Sequence, residues 1–240
     1  MPLAVSPVRA NVPTMTYDLF IGDQAFSSWS LRGWLMFEKF GLPFRTHMAG
    51  LHDGTMAEDL APLAPARLVP VMRTPEGTVV GETLAMAETL AERHPEAGLW
   101  PEDRAARATA RWLVSEMHAG FGALRGDCPM QLLKAYQGFA ASDAVKADLA
   151  RLETLWTYAR TQHGGARPWL FGAYSLADVF FAPVAARIAG YDLPVGPQAH
   201  AYVDAHLADP AFRKWRAAGL AKSYDPEPYA LDLPSGPWPE

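Results

Sequence analysis

TYDLFIGDQAFSSWSLRGWLMFEKFGLPFRTHM, residues 16–48, is the stretch whose reading decides the fold. Its opening TYDLFI is a short apolar run, which predicts a buried strand. From Ser30 to Phe40, Leu31, Trp34 and Leu35 recur at helical spacing, with Arg32, Glu38 and Lys39 supplying charge elsewhere. Gly41 and Pro43 stop that helix. FRTHM, residues 44–48, predicts a second strand. Ser27, Ser28 and Ser30 crowd the first strand-to-helix junction. A helix begins with unpaired N–H groups that together carry about half a positive charge. A serine there caps the helix by accepting one of those N–H groups. Alternatively it joins the helix end in holding an anion such as a thiolate. The two roles are compatible, because one serine can cap while another binds.

Outward from this unit, residues 49–66 are weakly patterned and interrupted by proline, which predicts a loop with one irregular helix. LVPVMRTPEGTVVGE, residues 68–82, reads as a hairpin: two β-branched runs flank TPEG, and Gly77 is available for positive φ. ETLAMAETLAERH, residues 82–94, predicts a helix ended by Pro95. Pro95, Gly98 and Pro101 then punctuate a linker. Beyond it no strand pattern is evident. Glu102 to about Leu124 and Ser175 to Ile188 read as helices. Val145, Leu149, Leu152, Trp156 and Ala159 step by four and three along one helix face. AYVDAHLA and PAFRKWRAAGL supply two short helices, and five prolines after Tyr224 predict an irregular tail. Strands first and helices afterwards imply an α/β half followed by an all-α half. The expected organisation is a disordered lead-in over 1–15, with Met15 a candidate start, an α/β domain over 16–95, a linker over 96–101, a helical domain over 102–225 and the tail over 226–240.

Composition sets the function classes aside in turn. The chain has 240 residues, half of them apolar and a fifth charged, which is globular composition. A net charge of -5 without a basic block argues against nucleic-acid binding, which needs a cationic stripe. No apolar segment approaches the roughly 20 residues of a membrane span. One cysteine, Cys128, excludes an intramolecular disulfide and a multi-cysteine metal site, and suits a reducing cytoplasm. It precedes Pro129, far in sequence from any base, and reads as non-catalytic. The seven histidines show neither H-x-x-x-H nor H-E-x-x-H spacing, so no metal is expected. Trp112, Trp156 and Trp215 have apolar neighbours at helical spacing and are expected in the core. Met117, Phe121 and Tyr136 fit core or dimer contacts better than an acceptor pocket.

Two further signals concern binding. Pro70 falls in the middle of an apparent strand, where it cannot donate to the ladder. Base rates make Val69–Pro70 a trans bond at a strand edge; a cis bond would turn the chain and expose the Val69 N–H and C=O to a bound peptide. Glu82 and Thr83 lie where a strand hands over to a helix. Thr83 is a natural cap, and Glu82 either satisfies the helix dipole or pairs with an ammonium group.

In this order and spacing, the serine loop, the V-P and the E-T resemble the thioredoxin-like glutathione-binding domain of the glutathione S-transferase family. SSWSLRGW is most similar to the zeta-type loop and to bacterial relatives that read S-S-W-S-L-R. GAYSLADVFFAPV, residues 172–184, resembles the capping box and hydrophobic staple of the family's buried central helix, with Ser175 and Asp178 as the box. The resemblance implies a βαβαββα domain followed by an all-helical bundle, glutathione as co-substrate, an apolar electrophile as second substrate, and a homodimer. It implies that Ser27, with Ser28 as runner-up, donates to the glutathione sulfur. Val69, before a cis Pro70, would pair with the cysteinyl part, and Glu82 and Thr83 would receive the γ-glutamyl end. Two departures stand out. Trp29 occupies the zeta cysteine position, which puts maleylacetoacetate-type isomerisation in doubt. Leu68 stands where relatives carry Lys or Gln before the V-P, leaving Arg67 to face the glycyl carboxylate. A binding-only protein of the same fold is the other reading.

Overall fold

A computed structural model describes residues 16–165, 167–221 and 229–239. The predicted lead-in over 1–15 and part of the predicted tail lie outside the described residues. The first half runs β1 (Tyr17–Ile21), α1 (Ser28–Glu38), β2 (Phe44–Met48), α2 (Met56–Asp59), β3 (Val71–Arg73), β4 (Val79–Val80) and α3 (Thr83–Arg93). One four-stranded sheet has the order β2-β1-β3-β4; β1 and β2 are parallel and the other pairs antiparallel. Alternation along β1 divides its side chains between two faces. Tyr17, Leu19 and Ile21 join the main core with Leu31, Leu35 and Met86. Phe20 joins a smaller cluster with Ala49, Leu60, Leu63, Val69 and Val71.

The second half runs α4 (Arg104–Ala119), α5 (Gly122–Asp127), β5 (Ala135–Tyr136), α6 (Asp143–Ala159), α7 (Leu176–Tyr191), α8 (Pro197–Ala208), α9 (Pro210–Leu220) and β6 (Ser235–Gly236). Helix α1 is the hinge of the architecture. Its residues Ser30–Phe37 are all buried, because it packs against α3 on one side and α7 and α9 on the other. Helix α7 is buried along almost its whole length. Its entry is locked by Asp178, which accepts from the Ser175 N–H at 2.8 Å, the Leu170 N–H at 3.2 Å and the Tyr202 hydroxyl at 2.8 Å. The face of α6 foreseen from spacing is the buried one, extended by Leu155.

Several expectations need correction. The single helix expected over 102–124 is two, α4 and α5, because Phe121 adopts a left-handed conformation with φ 58° after Gly120. The helical half is not strand-free: β5 pairs with β6 from the C-terminal segment, which also buries Trp238. Trp112 is 47 % exposed, with its indole N–H donating to Glu116, whereas Trp156 and Trp215 are buried. The Val69–Pro70 bond is cis, not the trans form that a strand edge alone suggests.

Candidate functional site

The serine loop works out its hydrogen bonds internally before any ligand is considered. Ser27 is the cap of α1: its Oγ accepts the Ser30 N–H at 3.3 Å and its hydroxyl donates to Ser30 Oγ at 2.7 Å. Ser30 Oγ also accepts the Gly22 N–H at 2.9 Å, which ties the end of β1 to α1. Ser28, one position on and only half-buried, accepts from Arg187 Nη2 at 3.4 Å and leaves its own proton uncommitted. Trp29 leans outward, with the Arg32 guanidinium 4.3 Å and the Arg125 guanidinium 4.9 Å from its ring centre.

Next to this loop lies a cleft of about 470 Å³, lined by Trp29, Arg67, Leu68, Val69, Pro70, Glu82 and Thr83 among others. Helix α1 meets the Pro70 turn at Gly33, where an added Cβ would stand 2.8 Å from the proline ring. Only glycine allows that approach. Val69 and Pro70 are buried, while Arg67 and Leu68 are exposed on the rim.

The opposite wall is the start of α3. Here Glu82, not Thr83, holds the cap position, and its side chain makes no cap. Its backbone is at φ 59°, a conformation that costs a non-glycine residue on the order of 1–3 kcal/mol. Thr83 is buried, and its hydroxyl has no partner among the described residues. The α3 N-terminus thus presents uncapped N–H groups and an orphaned hydroxyl to the cleft, with an exposed carboxylate beside them. Glu82 Oε2 lies 3.6 Å from His118 Nε2. Burial holds the His118 pKa below its ordinary value; the Glu82 carboxylate opposes that, and Arg32 and Arg125 reinforce it.

The structure therefore gathers Trp29, Arg67, Val69, Pro70, Glu82 and Thr83 around one cleft, with Ser27 and Ser28 at the adjoining helix start. Met117, Phe121 and Tyr136 are buried in the main core. Cys128 is fully buried, and burial pushes its thiol pKa up to about 12. Among the described residues no group of three or more His, Cys, Asp or Glu side chains is placed to hold a metal ion. No described helix is long and apolar enough to cross a membrane. Sequence reasoning passed over His118, Arg125 and Arg187. Arg187 had a signal: apart from Asp178, it is the one charged residue within the apolar run LADVFFAPVAARIAGY of α7.

The glutathione S-transferase N-terminal domain family matches residues 26–93. A glutathione transferase homologue from Burkholderia (BGR1), solved with bound glutathione, superposes with a TM-score of 0.65 at 22% identity, covering 87% of this chain and 100% of that one. A sphingomonad glutathione S-transferase complexed with glutathione gives 0.62 at 23% identity, over 84% of this chain and 98% of that one. Glutathione transferase Omega 2S of Trametes versicolor gives 0.66 at 20% identity, over 86% and 95%. Among curated proteins, a maleylacetoacetate isomerase of Dictyostelium discoideum is 28% identical over 127 residues, which is 52% of this chain and 55% of that protein. The matched region thus spans about half the length of that relative. Together these define the class: a thioredoxin-like α/β half joined to a helical half in the glutathione transferase arrangement. Over residues 26–93 the chain matches the glutathione S-transferase N-terminal domain family, and its fold is that of the glutathione transferases above.

Proposed function

We propose that this protein is a glutathione transferase that raises the thiolate fraction of glutathione at the start of α1 and delivers it to an electrophilic carbon. The observation that carries the reading is the cleft itself. Its walls are the start of α3, the Val69–Pro70 turn and Trp29, and it opens beside the serine loop. The uncapped N–H groups of α3 and the orphaned Thr83 hydroxyl suit the γ-glutamyl carboxylate, and Glu82 suits its ammonium. The Val69 backbone pairs with the cysteinyl part, and Arg67, on the rim, faces the glycyl carboxylate.

The sulfur then points to the helix start. Ser27 spends its proton on Ser30, so we assign the donor role to Ser28, with Ser27 holding the loop in shape. A free thiol has a pKa near 8.5 and is mostly protonated at neutral pH. A hydroxyl donor and the helix end together lower that by about one to two units, or roughly 1.4 to 2.7 kcal/mol. The thiolate attacks the acceptor carbon and a C–S bond forms. The leaving group departs with its bonding electrons, or an added double bond takes a proton from solvent.

A reducing cytoplasm suits such a thiol co-substrate, and the reading includes a homodimer, which light scattering tests. Trp29 in place of a cysteine weighs against isomerisation. The primary experiment is retention on immobilised glutathione followed by assay with 1-chloro-2,4-dinitrobenzene. Retention and turnover support the transferase; retention without turnover across several electrophiles turns the reading to a binding-only protein.

A further inference from the structure

Three guanidinium groups meet at the base of the serine loop. Arg32 and Arg125 both lie against the Trp29 ring, and Arg187 reaches the neighbouring Ser28 hydroxyl. Arg32 is 1 % and Arg187 5 % exposed, so both are charges taken out of water. Buried cations are ordinarily paired with carboxylates. None of these three has a carboxylate within ion-pair distance among the described residues. Their N–H groups go instead to carbonyls: Arg32 Nε to Phe180 O at 3.0 Å, Arg187 Nε to Cys128 O at 2.8 Å and Nη1 to Pro183 O at 3.2 Å, and Arg125 Nη1 to Gly120 O at 3.2 Å. Carbonyls satisfy hydrogen bonds without neutralising charge. Arg32 Nη2 is buried with no hydrogen-bond partner among the described residues.

The cations also oppose one another. Burial and the charges of Arg187 and Arg125 hold the Arg32 pKa well below its ordinary value. Burial, with Arg125, brings Arg187 down to about 10. The cluster comes from helices α1, α5 and α7, so it spans the two halves of the fold beside the cleft. Repulsion of this kind in a desolvated place is relieved by an anion. The nearby carboxylate, Glu82, is 71 % exposed and turned toward His118.

We propose that the Arg32, Arg125 and Arg187 cluster is the subsite for an anionic group on the acceptor substrate, of carboxylate size and charge. The inference rests on the transferase reading and narrows its substrate class: the acceptor is an acid whose electrophilic carbon is placed at the sulfur by its charged end. Half-buried Arg125 makes the contact beside Trp29, while buried Arg32 and Arg187 support the field from behind. The apolar electrophile expected from the sequence is then only part of the requirement.

The test compares 4-chloro-3-nitrobenzoate with its methyl ester, a pair differing in the charge. Calorimetric titration into the full chain saturated with unreactive S-methylglutathione gives affinity; kcat/KM with glutathione, divided by each uncatalysed rate, gives turnover. The acid is expected to lead the ester by about ten-fold or more in both. Arg125→Gln and Arg187→Met should each bring the acid-to-ester ratio toward one. Arg187 carries buried hydrogen bonds that its variant loses, so half-buried Arg125 provides the second, milder variant. Equal affinity for acid and ester in the wild type overturns the subsite. So does a ratio that persists in both variants, or a loss equal for acid and ester, which would mean that the cations serve the thiolate alone. Absence of turnover with either compound defeats the transferase reading, while the titration still decides the subsite.

Discussion

Arg187 Nη2 lies 3.4 Å from Ser28 Oγ, joining the middle of α7 to the first turn of α1 across 159 positions of sequence. The contact fixes the outward serine from the far half of the molecule. It also leaves that hydroxyl accepting from a cation, and free to donate.

The two serines should therefore separate by experiment. Ser28→Ala is expected to lower kcat/KM by about 10² or more, the scale for losing one donor to a developing anion. Ser27→Ala should lose a helix cap and about 1 kcal/mol of stability, read by urea unfolding. Equal activity losses in the two variants would return the donor role to Ser27.

Glu82 holds a positive φ that glycine would adopt freely. Glu82→Gly should raise stability by about 1 kcal/mol, because it removes that strain. It should also raise KM for glutathione about ten-fold by removing the ammonium partner. Thermal unfolding together with glutathione titration reads both. A variant that gains stability and keeps KM would take Glu82 out of the site.

Gly33→Ala places a methyl group 2.8 Å from the Pro70 ring and 3.5 Å from Met86 Cε, so α1 or the turn must shift. Overpacking of this kind costs about 1–3 kcal/mol. A drop in unfolding midpoint with a higher KM for glutathione is expected. Unchanged values would show that the turn moves freely.

Asp178→Ala strips four buried donors of their acceptor at the entry of α7 and should cost at least about 2 kcal/mol. Denaturant midpoints measure it. Unaltered stability would reduce the box to ornament.

Two fully buried groups contribute to the pH dependence of stability with opposite sign. Burial lowers the His206 pKa to about 3, far below the 6.5 of an exposed histidine. The unfolded chain then binds a proton that the folded one refuses, so stability falls as pH drops below 6.5, by up to about 1.4 kcal/mol per pH unit. Burial raises Asp178 to about 6, so its contribution falls instead as pH rises from about 4 to 6. His206→Leu should lose less stability than the wild type as pH falls from 6 to 4. A variant whose stability still falls with acid like the wild type would sink this account.

How far the chain could be read beforehand follows from the reach of each signal. The strand–helix–strand unit, the buried face of α6 and the Ser175–Asp178 box are local patterns, and a few residues of spacing carry them. The break at Phe121 is also local, but no residue type there announces a left-handed backbone. Strands β5 and β6 pair residues a hundred positions apart and are two residues long, too short for any alternation. Trp112 sits at helical spacing, yet α4 turns it to solvent. At the site, the V-P turn and the E-T start were legible because each is a contiguous motif. The assignment of protons among Ser27, Ser28 and Ser30 was not, since it depends on which way three neighbouring hydroxyls turn. The arginine cluster was hidden for the opposite reason, being assembled from three helices that share nothing in sequence.

Cys128 shows what the protein withholds from its own chemistry. Its side chain is fully buried, Arg187 Nε donates to its backbone carbonyl, and burial pushes the thiol pKa up to about 12. The fold therefore contributes no exposed thiol among its described residues. On the transferase reading, the single thiol of the chain is kept out of reach of the electrophiles that the cleft would receive.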